Sequence, residues 1–165
     1  MKGKKIEIAY CSVEPAELPV EDRELIEKAK SMTYRSYAPY SRFCVGAAIR
    51  MADGSIVCGS NQENAAYPSG TCAERTACYQ ASALYPGMPM KKIAIAARNI
   101  GIVPKGYEDT APFQARPISP CGACRQALIE YERLHGPIEV ILYGEEESFV
   151  FSSIESLLPF SFTEF

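Results

Sequence analysis

A chain of 165 residues, 47% hydrophobic and 22% charged, is expected to form one compact domain that buries roughly 70% of its unfolded surface. It has 7 cysteines, 1 histidine and no tryptophan. The odd cysteine count, the length and the lack of an apolar leader at the N-terminus argue against a secreted disulfide framework and for a reducing, cytoplasmic setting. A net charge of -3, 17 scattered Lys and Arg and a C-terminal stretch from Glu145 with no basic residue argue against nucleic-acid binding. No apolar run approaches the roughly 20 residues of a membrane span.

In chain order, Ile6, Ile8 and Tyr10 alternate with Glu7 and Ala9 and predict a short strand, followed by a Pro-containing linker from Glu14 to Pro19. Residues 1–18 are thus read as an N-terminal strand and linker ahead of the main body. From Val20 to Tyr37, Leu25, Ala29 and Met32 recur at helical spacing, with Glu21, Asp22 and Glu24 in the first turn. The runs 43–51 and 55–59 flank Ala52-Asp53-Gly54 and predict an antiparallel hairpin. A helix is expected over 71–84, a buried strand over 92–98, a helix over 121–134, a strand over 138–143 and a short helix over 153–158. Residues 101–118, with three Pro and two Gly, are too long for an ordinary connection. That segment is expected to cover a pocket or a subunit interface. Strands alternating with helices predict one α/β layered domain with a mixed sheet.

Two short motifs stand at predicted helix starts: Thr71-Cys72-Ala73-Glu74-Arg75 and Pro120-Cys121-Gly122-Ala123-Cys124-Arg125-Gln126. Cys121 and Cys124 lie one helical turn apart, and a helix N-terminus favours thiolate over thiol. Cys72 can supply a third thiolate if the two helix N-termini face each other. Three protein ligands leave one tetrahedral position open on Zn²⁺, as in catalytic rather than closed structural sites. Zinc there lowers the pKa of a bound water from about 15.7 toward neutrality. Three thiolates overcompensate one zinc, so Arg75, next to the motif, is expected to hydrogen-bond the sulfurs. Glu74, two residues past a ligand, is placed to accept and return a proton, a role worth roughly 10²–10⁴-fold. On spacing alone, a structural zinc or a redox C-x-x-C stands beside this reading.

With these motifs the sequence resembles the cytidine deaminase family, in its small form with three cysteine ligands. Further elements of the resemblance are Tyr37-Ala38-Pro39-Tyr40-Ser41-Arg42-Phe43, Val45-Gly46-Ala47-Ala48, Asn61-Gln62-Glu63-Asn64-Ala65-Ala66-Tyr67 and Leu157-Leu158-Pro159, all in family order. The resemblance implies a three-layer α/β/α fold with a mixed central sheet of about five strands, and one zinc per subunit on Cys72, Cys121 and Cys124. It implies attack on C4 of a cytosine by zinc-activated hydroxide, with Glu74 shuttling protons to N3 and to the departing amine. Phe43 then packs on the base, Ala73 offers its N–H to the pyrimidine oxygen, and Asn61 and Glu63 bind the sugar. Phe162 closes a neighbouring subunit's pocket, which implies a homotetramer with shared active sites. The chain departs from the family pattern at Cys44, in place of a proline, at Tyr67-Pro68-Ser69-Gly70, in the N-terminal strand and in the long loop 101–118.

The expected function is zinc-dependent hydrolysis of cytidine and 2′-deoxycytidine in pyrimidine salvage, with a free nucleoside and water as the only partners besides the other subunits. A deaminase of a cytosine-nucleoside antibiotic resembling blasticidin S is the alternative. A base editor is disfavoured by the acidic composition, and a non-catalytic zinc module by the presence of Glu74. His135, in Leu-His-Gly-Pro at a helix end, reads as a dipole partner, and Cys11, Cys44, Cys58 and Cys78 read as small hydrophobes.

Overall fold

The computed structural model describes residues 2–101 and 110–164. Six strands, β1 (Cys11–Val13), β2 (Phe43–Met51), β3 (Ile56–Ser60), β4 (Met90–Asn99), β5 (Glu139–Leu142) and β6 (Ser148–Phe151), form one sheet in the order β1-β6-β5-β4-β2-β3. Only β4 and β5 run parallel; every other pair is antiparallel. Helix α1 (Val20–Thr33) covers one face, and α2 (Ala73–Leu84) and α3 (Gly122–His135) cover the other. The expected three-layer mixed α/β architecture is thus present.

Period-2 alternation in the strands sorts the core into two clusters. Ile49, Ile93, Ile95, Val140 and Leu142 point toward α2 and α3. Ala48, Ala94 and Ala96, with Ile141, point toward Leu25, Ile26 and Ala29 of α1. The small residues let α1 lie close to the sheet, and a Cβ on Gly46 would come within 2.0 Å of the Ala29 carbonyl oxygen. Gly59 plays the same part on the opposite face, where a Cβ would lie 2.4 Å from the Ala77 nitrogen.

Connectivity fixes where the chemistry can sit. Helix α2 ends just before β4 begins, and α3 begins after β4 has ended, so both helices start at the edge where β4 finishes. The α3 connection makes β4 and β5 a parallel β-α-β unit, and ligands of such sheets bind beyond the carboxyl ends of the strands.

Four details differ from the sequence reading. The N-terminal strand lies at Cys11–Val13, not over Ile6 to Tyr10, because its partner β6 is only four residues long and pairs Cys11 with Val150 and Val13 with Ser148. Tyr10 instead rests on the Phe149 and Phe151 rings, at 5.0 and 5.4 Å. Strand β6 is a sixth strand that follows the acidic turn Glu145–Glu147. Helix α1 stops at Thr33 rather than Tyr37, since the Tyr37 N–H is drawn to the Asn61 carbonyl and its own carbonyl accepts from Glu63. Of the long loop 101–118, residues 102–109 lie outside the described residues. The stretch 110–118 docks on the sheet edge, with Gln114 N–H on the Ala97 carbonyl and Phe113 against Tyr143 on the α1 face.

That docking uses a buried cation which the sequence reading missed. Arg98, 0% exposed, donates from Nε to Thr33 Oγ1 (2.8 Å) and from Nη1 to the Ala111 carbonyl, and its guanidinium lies 3.7 Å from the Tyr34 ring centroid. An arginine at the end of a strand gives no sequence signal of burial; the Thr33 hydroxyl, the stacked tyrosine and the returning loop help to make the position tolerable.

Candidate active site

Cys72 and Cys121 are the N-cap residues of α2 and α3, both extended, and Cys124 lies in the first turn of α3. Because the two helices start at the same end of the sheet, their first turns converge. The Sγ atoms of Cys72 and Cys121 are 3.9 Å apart, those of Cys121 and Cys124 3.5 Å, and all three lie within 4.8 Å of one another. These separations are too long for a disulfide. Zinc–sulfur bonds of 2.3 Å in tetrahedral geometry imply sulfurs roughly 3.8 Å apart, so the triad fits zinc in both ligand chemistry and spacing.

The sulfurs share charge unevenly. A hydrogen bond from Cys124, followed by those from Arg75 and Cys121, lowers the Cys72 pKa to about 5 against the opposing effect of burial. Cys124 is pushed up by its hydrogen bond to Cys72 and by burial. Arg75 Nη2 lies 3.8 Å from Cys72 Sγ, and the hydrogen bond to that sulfur raises the guanidinium pKa further. Its Nε is buried without a hydrogen-bond partner.

Glu74 is 3% exposed in the first turn of α2. Burial pushes its carboxyl above the ordinary range and the neighbouring Cys72 adds to the shift, while a Cys124 hydrogen bond works against it. A buried carboxyl whose pKa is raised suits proton transfer. Ala73, fully buried beside it, is the first helical residue, and first-turn amides have no intrahelical acceptor.

A cavity of about 530 Å³ reaches the triad at Cys72, with Tyr40, Asn61, Glu63, Tyr67 and Arg75 also in its walls. Among the described residues, its lining falls between 40 and 75 in the sequence. Asn61 and Glu63 therefore come together with Cys72 and Arg75, although each already has a structural task. The Asn61 amide accepts from Val45 N–H (2.8 Å) and donates to the Phe43 carbonyl (2.8 Å), lacing the end of β3 to β2. Glu63 Oε2 accepts from the Tyr40 and Ser41 amides at 2.9 and 3.2 Å. Desolvation works against its charge, but hydrogen bonds from Ser41 and Tyr40 prevail and lower its pKa. It is half-buried rather than buried.

Phe43 and Phe162 do not line the cavity of this chain. Phe43 opens β2 and packs against the core under α2 and α3. Phe162 is 69% exposed on the C-terminal segment. The sequence reading gave no role to Tyr40 and Tyr67, whose rings meet edge to face at 6.3 Å at the cavity wall. Their signal was present, since both lie inside segments already singled out as motifs.

A family profile described as the cytidine and deoxycytidylate deaminase zinc-binding region matches residues 19–135. A cytidine deaminase of Halalkalibacterium halodurans is 38% identical over 143 residues, covering 86% of this chain and 95% of that protein. One from Sporosarcina psychrophila is 35% identical over 142 residues, covering 86% and 90%. The crystal structure of cytidine deaminase from Burkholderia pseudomallei superposes with a TM-score of 0.67 at 40% identity, covering 85% of this chain and 98% of that one. A blasticidin-S deaminase of Bacillus cereus is more distant, 29% identical over 143 residues, covering 87% and 93%.

Proposed function

We propose, from the premise that the chain belongs to the cytidine and deoxycytidylate deaminase family, that it hydrolyses free cytidine and 2′-deoxycytidine to uridine and 2′-deoxyuridine with release of ammonia. The observation that carries this reading is a buried carboxyl, Glu74, in the first turn of the helix capped by Cys72, a residue that lines an open cavity and whose sulfur converges with those of Cys121 and Cys124. Zinc held by Cys72, Cys121 and Cys124 supplies Lewis acidity that brings water toward ionisation at neutral pH.

The chain's own residues do the rest. As a carboxylate, Glu74 takes a proton from the attacking water and delivers it to ring N3. It then takes the proton of the new C4 hydroxyl and passes it to the departing amine, so that the C4–N bond breaks as the C4 carbonyl forms and one water is consumed for one ammonia released. Arg75 donates to Cys72 and offsets part of the charge of three thiolates. The Ala73 N–H, at the positive end of α2, faces the pyrimidine oxygen. Glu63 spends Oε2 on the Tyr40 and Ser41 amides, which leaves Oε1 for a sugar hydroxyl, and Asn61 retains one N–H for the same purpose. Among the described residues, none beyond Arg75 walls the cavity, which leaves a side for the exposed Phe162 of a second copy to complete, and the enzyme is a homotetramer with shared sites. Its setting is cytoplasmic pyrimidine salvage.

Free cytosine leaves Glu63 without its hydroxyl partner, and a 5′-phosphate meets only Arg75, which is already engaged with Cys72. An absorbance assay over cytidine, deoxycytidine, cytosine, cytidine monophosphate and blasticidin S tests the reading. Turnover of the two nucleosides with little of cytosine and the monophosphate is expected. Equal turnover of cytosine removes Glu63 from substrate recognition, and preference for blasticidin S shifts the function to antibiotic inactivation.

A further inference from the structure

After Phe151 the chain turns back along α3, and a series of side chains on that helix holds it. Glu132 accepts from Ser153 Oγ (2.6 Å), Ile154 N–H (3.0 Å) and Glu155 N–H (3.1 Å). Arg125 donates to the Leu157 carbonyl at 2.8 Å. Gln126 closes the series: its Nε2 donates to the Phe162 carbonyl (2.7 Å) and its Oε1 accepts from the Phe162 N–H (3.2 Å). Glu132 and Arg125 lie about two helical turns apart, roughly 10 Å along the axis. The C-terminal segment therefore ends beside the turn that bears Cys121 and Cys124.

The Gln126 contact is specific in kind. A primary amide presents a donor and an acceptor side by side, the same pair that a residue of a neighbouring strand presents, so Gln126 holds the Phe162 backbone as a β-partner would. Residues 158–164 have no helix or strand of their own, and chain ends of this kind ordinarily fray. Yet this backbone is gripped at both polar atoms while the Phe162 ring is 69% and the Phe160 ring 85% exposed. Burial of those rings within the chain does not account for the grip.

We infer that Gln126 is a positioning residue: by clamping the Phe162 backbone, it sets the height and direction at which the Phe162 ring enters the cavity of a second copy. The same short turn of α3 then carries two metal ligands for its own site and the anchor for its neighbour's. This rests on the reading of Phe162 given above.

Gln126→Ala and Gln126→Met, the second of which keeps the packing and loses the amide, are compared with Phe162→Ala and with the Gln126→Ala/Phe162→Ala double variant. Each Gln126 variant is expected to raise KM for cytidine about tenfold, the scale of removing two hydrogen bonds that hold one contact, with kcat within about twofold and zinc per chain unchanged. The double variant is expected to show the KM of Phe162→Ala alone, since the clamp acts only through that residue. Multiplying KM effects, or a fall in kcat with loss of zinc, overturns the inference and places Gln126 with the metal turn. Unchanged KM in both Gln126 variants while Phe162→Ala raises it also overturns the clamp, whereas unchanged KM in Phe162→Ala overturns the shared-site reading itself.

Discussion

The two faces of the sheet use the same materials to different ends. Under α1, alanines and one glycine bring the helix close, and the charged groups are matched among themselves: Asp22 is 2.7 Å from Lys92, which also reaches Glu139 at 2.9 Å. Burial works against the Lys92 charge, but the hydrogen bonds to Asp22 and Glu139 prevail and raise its pKa. Under α2 and α3, larger aliphatic residues fill the space between two helices, and at their shared end the groups are left unmatched. Three sulfurs crowd one another, Arg75 is the protein cation hydrogen-bonded to them, and a carboxyl is buried beside them. Polar groups that are paired mark support, and groups whose pairing is incomplete mark the place where a cation and a substrate belong.

If that contrast is right, substitutions on the two faces fail in different ways. The largest effect is expected from Gly46→Ala on the α1 face. Its Cβ meets backbone at 2.0 Å, where nothing flexible can yield, and a loss of at least about 4 kcal/mol is expected by urea denaturation. A stable, active Gly46→Ala enzyme would show that α1 does not need its close approach. Next comes Glu74→Gln, which is expected to cut turnover by roughly 10²–10⁴-fold while zinc content and denaturation midpoint stay at the parent values. Loss of metal in that variant would move Glu74 from proton transfer to holding the triad together. The smallest effect is expected from Asp22→Ala, which leaves Lys92 with Glu139 and should cost about 1–2 kcal/mol of stability without altering kcat/KM. A change in kinetics there would erase the division between the faces.

Part of this was legible residue by residue. The helices over 73–84 and 122–135, the hairpin around Asp53-Gly54 and the cysteine ligands were signalled locally, because periodicity, turn residues and i, i+3 spacing are properties of short stretches of chain. Other features had no such signal. β6 is four residues behind an acidic turn, and β1 could be placed only once the length of β6 was known. The sequence assigned Asn61 to substrate and gave no sign of its second task, in which its amide laces the Phe43 and Val45 backbone. Arg98 resembles any surface arginine until Tyr34 stacks on it.

By itself, the sequence singled out Cys72, Cys121 and Cys124 as a candidate ligand set, Glu74 as the carboxyl beside them and the order of the elements from α1 to β5, since each depends on residue type and near-neighbour spacing. Tertiary structure alone decided that the two helix starts meet, that Glu63 both braces the Tyr40–Ser41 turn and lines the cavity, and that the C-terminal Phe162 is exposed outside the cavity of its own chain. Those outcomes depend on strand register and crossover connections between residues dozens of positions apart, and such long-range closures are settled by packing the whole sheet rather than by any segment of it.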